Sequence, residues 1–403
     1  MKRVNQPSET TLPVKKKQRT FRRALALLAL LIFGALVGYY AGKVGFSAAK
    51  GASITSVIAL AVLFIPTFML VIGTHEAGHA LAGIWVNFDF RMFVVGPFMW
   101  EKEQMGWRFK WNRNVNTAGG MVICLPMDTE QLRKRFSIYA AGGPVASLAL
   151  SALAYGVFRL ISMTDVAGQV VLQTFALFLA IMALLSATIF IATAIPLHLG
   201  GFSSDGARVL RLRRGGETAR LELLILKILT NSTSGLRPKL LDLRELNEAK
   251  ALAEKLNAPF EVYLCGYLHH AAFDQGDLIQ AEQHLLEYVN EADRIPEGIR
   301  NVVWLDAAFF YAFAKSDLHQ AATYWNQYKP TAMIPKAQVY ATEAAIGFLK
   351  DEREMVLSKI AASLRELPNM IDQGVGVALR EKLLRLQEKV AAEIKDDARA
   401  QES

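Results

Sequence analysis

The first half of the chain alternates between long uncharged stretches and short basic ones. Residues 24–42, 52–86, 136–158 and 166–197 are apolar runs, near or above the ~20 residues that carry a helix across a bilayer. They predict four transmembrane helices, at 24–42, 53–84, 136–158 and 168–195. Between the second and third runs the pattern shortens to a period of two. Phe88–Val95, Phe98–Glu103 and Trp107–Trp111 read as strands. In the last of these Trp107, Phe109 and Trp111 point one way, and Arg108 and Lys110 the other. Residues 118–127 are too short to span and read as a further strand or a re-entrant piece. The resulting β element, 87–125, suits either the headgroup level, where aromatic side chains concentrate, or a small surface sheet packed on the protein itself.

Past residue 214 the chain turns soluble in character. Residues 215–245 read as a linker holding an amphipathic helix, Leu221 to Leu229, of the kind that rests on a membrane surface. Residues 246–395 read as helices, and they repeat. Asp277-Leu278-Ile279-Gln280-Ala281 returns as Asp317-Leu318-His319-Gln320-Ala321, with Tyr288 matched by Tyr328 and an aromatic-rich helical run before each. A third, weaker unit spans Ala337 to Leu364. This loosely resembles tetratricopeptide repeats, with a period longer than their usual ~34 residues. The fold class expected is therefore mainly α: a polytopic membrane bundle with a small membrane-associated β element, followed by a soluble helical-repeat domain able to bind a protein partner.

Composition agrees with a membrane part joined to a soluble part: 52% of the 403 residues are hydrophobic and the mean hydropathy is positive. The net charge of +8 does not call for nucleic acid, because the basic clusters at 2–23, 91–113, 133–135 and 208–214 lie beside the apolar runs. Four crossings put every cluster on one side, which makes both termini cytosolic. Two distant cysteines, Cys124 and Cys265, form no disulfide framework and have no neighbours that suggest a metal knuckle or a nucleophile.

The chemistry concentrates at the end of the second run, in Thr74-His75-Glu76-Ala77-Gly78-His79-Ala80. Histidines four apart share one helix face and can reach one zinc ion at about 2.0–2.1 Å. Glu76 is one step round the helix, where it can hold a water and take its proton without ligating the metal. No Asp, Glu, Lys or Arg occurs from Gly51 to Thr74, and ionisable groups at membrane depth are costly unless they serve a function. Catalytic zinc sites usually have three protein ligands. Residues 80–88 offer no third histidine, and the acids at 89, 101 and 103 fall in the strand region. Asp205, after the fourth run, is the leading candidate, with His198 as rival. Ser203-Ser204-Asp205-Gly206 also reads as a helix N-cap.

His75-Glu76-Ala77-Gly78-His79 in one membrane helix, Gly143-Pro144 in the next and Asp205-Gly206 after the following one resemble the site-2 protease family of intramembrane zinc metalloproteases. The resemblance covers roughly residues 52–214. It implies one zinc ion per chain held by His75, His79 and Asp205, and Glu76 as general base. It further implies a membrane-anchored protein substrate and a multi-pass protein of a bacterial inner or plasma membrane. It makes 24–214 the protease domain, after a basic cytosolic tail at 1–23, and 246–395 the helical domain. Val95, Gly96 and Pro97 resemble part of the family's β element, thought to pair with unwound substrate. Gly143, Pro144 and Ser147 fall where the family contacts substrate. Two departures stand out: Ser147 where the family often has Asn, and Pro196 to Ser204 in place of an Asn-Leu-Leu-Pro type segment. Two other readings compete. A prenyl-protease type of membrane zincin would need a downstream helical Glu, and a membrane scaffold with a degenerate site would not need Glu76.

Overall fold

The computed structural model describes residues 54–103, 106–112, 119–164, 169–199, 202–258, 261–295, 297–331 and 334–402. The basic tail at 1–23 and the first expected span at 24–42 lie outside the described residues. Among the described residues three helices are long and apolar enough to cross a membrane. These are α1 (Ile54–Trp85), α2 (Leu132–Ser162) and α3 (Val170–Ala194).

The chain packs as two units, and the division passes through α1 after Gly78 and through α2 after Gly142. The first unit contains α1 up to Gly78, the rest of α2 and α3. It also holds a short hairpin, β5 (His198–Leu199) with β6 (Phe202–Ser203), and the opening of α4 (Asp205–Arg214). Its core is Val71, Ala154, Leu179, Met182 and Ala183. Small residues bring α2 and α3 together, and hydroxyls join them: Ser151 Oγ donates to the Ala183 carbonyl at 2.9 Å and Ser186 Oγ to the Ser147 carbonyl at 2.7 Å. The outer surface of these helices is apolar, with Val62, Ile65, Leu153, Leu160 and Val171 exposed, as lipid contact requires.

The second unit begins with the last turns of α1 and a four-stranded antiparallel sheet of order β3-β2-β1-β4. Its strands are β1 (Phe88–Val95), β2 (Phe98–Glu103), β3 (Gly106–Trp111) and β4 (Met121–Pro126). Residues 118–127 thus supply a strand. Asn87, at φ 60°, ends α1 in the left-handed conformation that Asn tolerates. Arg135 secures that end by donating to the carbonyls of Val86 and Asn87. Arg133 does the same for α4, reaching the carbonyls of Leu212 and Arg213. Arg133 and Arg135 therefore cap two helix C-termini, where positive charge meets the negative end of the helix dipole.

The sheet has the two faces the alternation predicts. Trp100, Trp107, Phe109 and Trp111 are exposed on one; Trp100, Phe109 and Trp111 are linked by ring contacts that include Phe98, and Trp107 meets Phe90. On the other, Arg108 pairs with Glu103 at 2.9 Å, and Lys110 reaches Glu101 and Glu103.

The remainder is helical. Helix α5 (Glu217–Thr233) occupies most of the stretch expected as a linker. Its apolar face is not left for a membrane. Leu221, Leu224 and Ile228 pack on Leu246 and Ala249 of α6 (Leu243–Leu256) and Leu264 of α7 (Glu261–Gln275). Periodicity fixed which face is apolar but not what covers it. Three successive helical hairpins follow: α7 with α8 (Leu278–Asn290), α9 (Glu297–Phe313) with α10 (Leu318–Trp325), and α11 (Lys336–Leu349) with α12 (Arg353–Glu366). Helix α13 (Gln373–Glu402) closes the series. Asp277 and Asp317 cap α8 and α10 in the same way, accepting from the amides of Gln280 and Gln320. Ala281 and Ala321 are both wholly buried. The match between Tyr288 and Tyr328 does not carry through: Tyr288 is within α8, whereas α10 ends at Trp325.

Candidate metal centre

Helix α1 puts His75 and His79 one turn apart, both buried. Each imidazole is held at Nδ1. His75 Nδ1 is 2.9 Å from Ser147 Oγ, and His79 Nδ1 is 2.9 Å from the Tyr139 carbonyl. Both partners come from α2. A histidine anchored at Nδ1 presents Nε2 to a metal, and such outer partners fix tautomer and ring orientation. The acceptor of His79 is a main-chain oxygen with a second lone pair beyond its helical bond.

Asp205 opens α4. Its Oδ2 lies 3.4 Å from His75 Nε2. Two ligands each about 2.0–2.1 Å from a tetrahedral zinc stand roughly 3.3–3.4 Å apart, so this spacing fits a shared ion. One ligand atom from each of His75, His79 and Asp205 lies within 4.8 Å of the others. Two imidazoles and a carboxylate form a donor set suited to zinc with one position left for water or substrate.

The loop before Asp205 is pinned by Ser204. Its hydroxyl donates to the Ile195 carbonyl at 2.6 Å and accepts from the Leu197 amide at 3.0 Å, while its own amide donates to the Leu197 carbonyl. Gly206 explains the Asp-Gly pair. A Cβ there would sit 1.8 Å from the carbonyl oxygen of Ala194, the last residue of α3. Only glycine lets α4 start against the end of α3 and so bring Asp205 to the histidines. Sequence reasoning named Gly206 and Ser147 but missed what each does, because both contacts join residues far apart in the chain.

Glu76 follows His75 on α1 and is half-buried. The rival ligand His198 is in β5, paired through its backbone with Ser203. Ser147, grouped by resemblance with substrate contacts, is fully buried, with its hydroxyl against His75. Gly143 and Pro144 are within α2. Val95 is buried at the end of β1. Gly96 and Pro97 form the two-residue turn to β2, with Gly96 at φ 56°, a conformation that favours glycine on its own account. The Asn112 side chain and amide close this turn onto the Gly96 and Pro97 carbonyls. Both thiols, Cys124 and Cys265, are pushed up to about 12 by burial and stay protonated.

The fold is that of a helical protein with three helices long and apolar enough to cross a membrane, and it brings two histidines and one carboxylate together in a cluster that could hold a metal ion. Residues 63–202 match the model of peptidase family M50, the site-2 protease family. The matched segment includes both histidines and Glu76 and stops before Asp205, which lies beside them in the structure. No curated protein and no solved structure matches the chain.

Proposed function

We propose that the protein is an intramembrane zinc metalloprotease that hydrolyses peptide bonds of membrane-anchored proteins. The observation that carries this reading is the convergence of His75, His79 and Asp205, with both histidines oriented through Nδ1. These three residues would hold the ion. When bound, zinc polarises a scissile carbonyl and lowers the pKa of a water toward ~7. Glu76 accepts the proton of the attacking water and returns it to the leaving amine. Ser147 and the Tyr139 carbonyl keep the imidazoles aligned throughout. Peptide bonds in a membrane helix are internally hydrogen-bonded, so substrate must unwind before attack. Strand β3 is an outer strand of its sheet, and an open edge suits pairing with an unwound segment.

The sheet and the C-terminal helices fall in one unit. This supports a topology in which both are cytosolic, with α2 and α3 crossing and returning between them. The helical hairpins, of tetratricopeptide-like build, serve a protein partner or substrate selection. Zinc content of purified wild type and Asp205→Ala tests the centre: one zinc per chain is expected in the first and a large loss in the second. Full zinc retention by Asp205→Ala would remove Asp205 from the ligand set.

A further inference from the structure

The second unit contains a cavity of about 460 Å³ between the charged face of the sheet and the C-terminal helices. That volume is in the small-ligand range of about 300–1,000 Å³. None of the metal-centre residues lines it. Its walls combine apolar side chains, among them Ile123, Ile334 and Val375, with the rings of Tyr263, Tyr267 and Tyr288.

The polar groups are unevenly satisfied. Five carboxylates line the cavity against two lysines, one arginine and His270. Arg108 and Lys110 are already engaged with Glu101 and Glu103. Asp372 is also satisfied, accepting from Ser232 and Tyr267. Asp306 is satisfied only in part. It is 4% exposed, its Oδ1 accepts from Gln338, and its buried Oδ2 has no aligned hydrogen bond, its partner among the described residues being His270 Nε2 at 3.3 Å, an ion pair when that imidazole is protonated. Tyr288 is 5% exposed and lines the same cavity, and its hydroxyl makes no hydrogen bond among the described residues. A buried polar atom without a partner costs about 1–3 kcal/mol, so the Tyr288 hydroxyl, beside a carboxylate oxygen whose one pairing with His270 is long, marks a place where a ligand supplies what the protein does not.

We infer that this cavity binds a small organic cation, with an ammonium or guanidinium head at Asp306 and Tyr288 and an aryl or alkyl body against the apolar wall. The carboxylate excess selects positive charge. The tyrosine rings add cation–π attraction, worth about 0.5–2 kcal/mol. An anion would meet the same carboxylates unfavourably. The site is separate from the metal centre, and its ligand is independent of whether the protein cleaves peptides.

Titration calorimetry on the purified full chain in detergent tests this, using phenethylamine, tryptamine and agmatine. Neutral 2-phenylethanol and anionic 3-phenylpropanoate serve as comparisons. Saturable binding of at least one amine is expected, at least tenfold tighter than the alcohol and with no binding of the anion. Asp306→Asn should weaken amine binding at least tenfold. Tyr288→Phe removes a hydroxyl that makes no hydrogen bond among the described residues, and so tests the site even if Asp306→Asn does not fold; it should weaken binding several-fold. Failure of all three amines to bind, equal binding of the alcohol, or wild-type affinity in Tyr288→Phe would overturn the assignment.

Discussion

Ser147 Oγ lies 2.9 Å from His75 Nδ1, and the Ser147 carbonyl in turn accepts from Ser186 Oγ. A chain of hydrogen bonds thus runs from α3 through α2 to the first histidine. Removing an outer partner of a metal-ligating histidine typically costs 10–100-fold in metal affinity or activity. Ser147→Ala should therefore lower zinc affinity about tenfold or more while thermal stability changes little. Competition with a chromogenic chelator measures it, and unchanged affinity would show that Ser147 does not orient His75.

Gly206 makes a prediction of the opposite kind, from space rather than bonding. Any Cβ at this position collides with the Ala194 carbonyl, so the start of α4 must move. Gly206→Ala should cost about 1–3 kcal/mol of stability, as overpacking does, and reduce zinc occupancy by displacing Asp205. A variant with wild-type melting and full zinc would contradict the role given to this contact.

Gly96 separates turn from substrate. Its φ of 56° is accessible to Asn and costly for a β-branched residue. If the absence of a side chain at the turn admits substrate, Gly96→Asn and Gly96→Val should both lower cleavage at normal zinc content. Retained cleavage in Gly96→Asn would assign the glycine to the turn alone.

The helical domain should be acid-sensitive. His269 is fully buried, and that burial first, with the neighbouring His270 second, pushes it down to about 3. An unfolded histidine titrates near 6.5. Between pH 6.5 and 3 the unfolded chain binds a proton that the folded one refuses, so stability falls as pH falls through that window and is flat above it. His270 works in the other direction. Burial disfavours its charge, but Asp306 more than offsets this and raises it, so its contribution is present at low pH and lost as pH rises through its raised value. His269→Gln keeps a donor for the Ala281 carbonyl, which His269 Nδ1 meets at 2.8 Å. Melting at pH 7 and pH 5 should show a smaller drop in the variant than in wild type; equal drops would mean that His269 is not the acid-sensitive group.

How much of this was legible in advance depended on range. The two histidines and Glu76 follow from spacing along one helix, and α1, α2 and α3 follow from runs of uncharged residues. The faces of the sheet follow from alternation in Trp107 to Trp111. The repeated Asp-Leu was legible as a repeat, but not that each aspartate caps a helix, α8 and α10. Asp205 was reachable through resemblance, but its approach to His75 depends on Gly206 meeting Ala194, a contact between two helix ends that no local pattern encodes. The cover of α5 escaped for the same reason, since an apolar stripe of leucines looks alike whether lipid or α6 lies against it. Arg133 and Arg135 were legible as charge but not as caps of α4 and α1.

The central claim is that Glu76 and a zinc ion on His75, His79 and Asp205 cleave membrane-anchored protein. The most direct measurement is cleavage of a model single-pass substrate in reconstituted vesicles, comparing wild type with Glu76→Gln, each with and without a zinc chelator. The account predicts cleavage by zinc-loaded wild type, at least 100-fold less by Glu76→Gln, and none after chelation. Cleavage by Glu76→Gln at the wild-type rate, or no cleavage by zinc-loaded wild type across a broad panel of single-pass substrates, would contradict it.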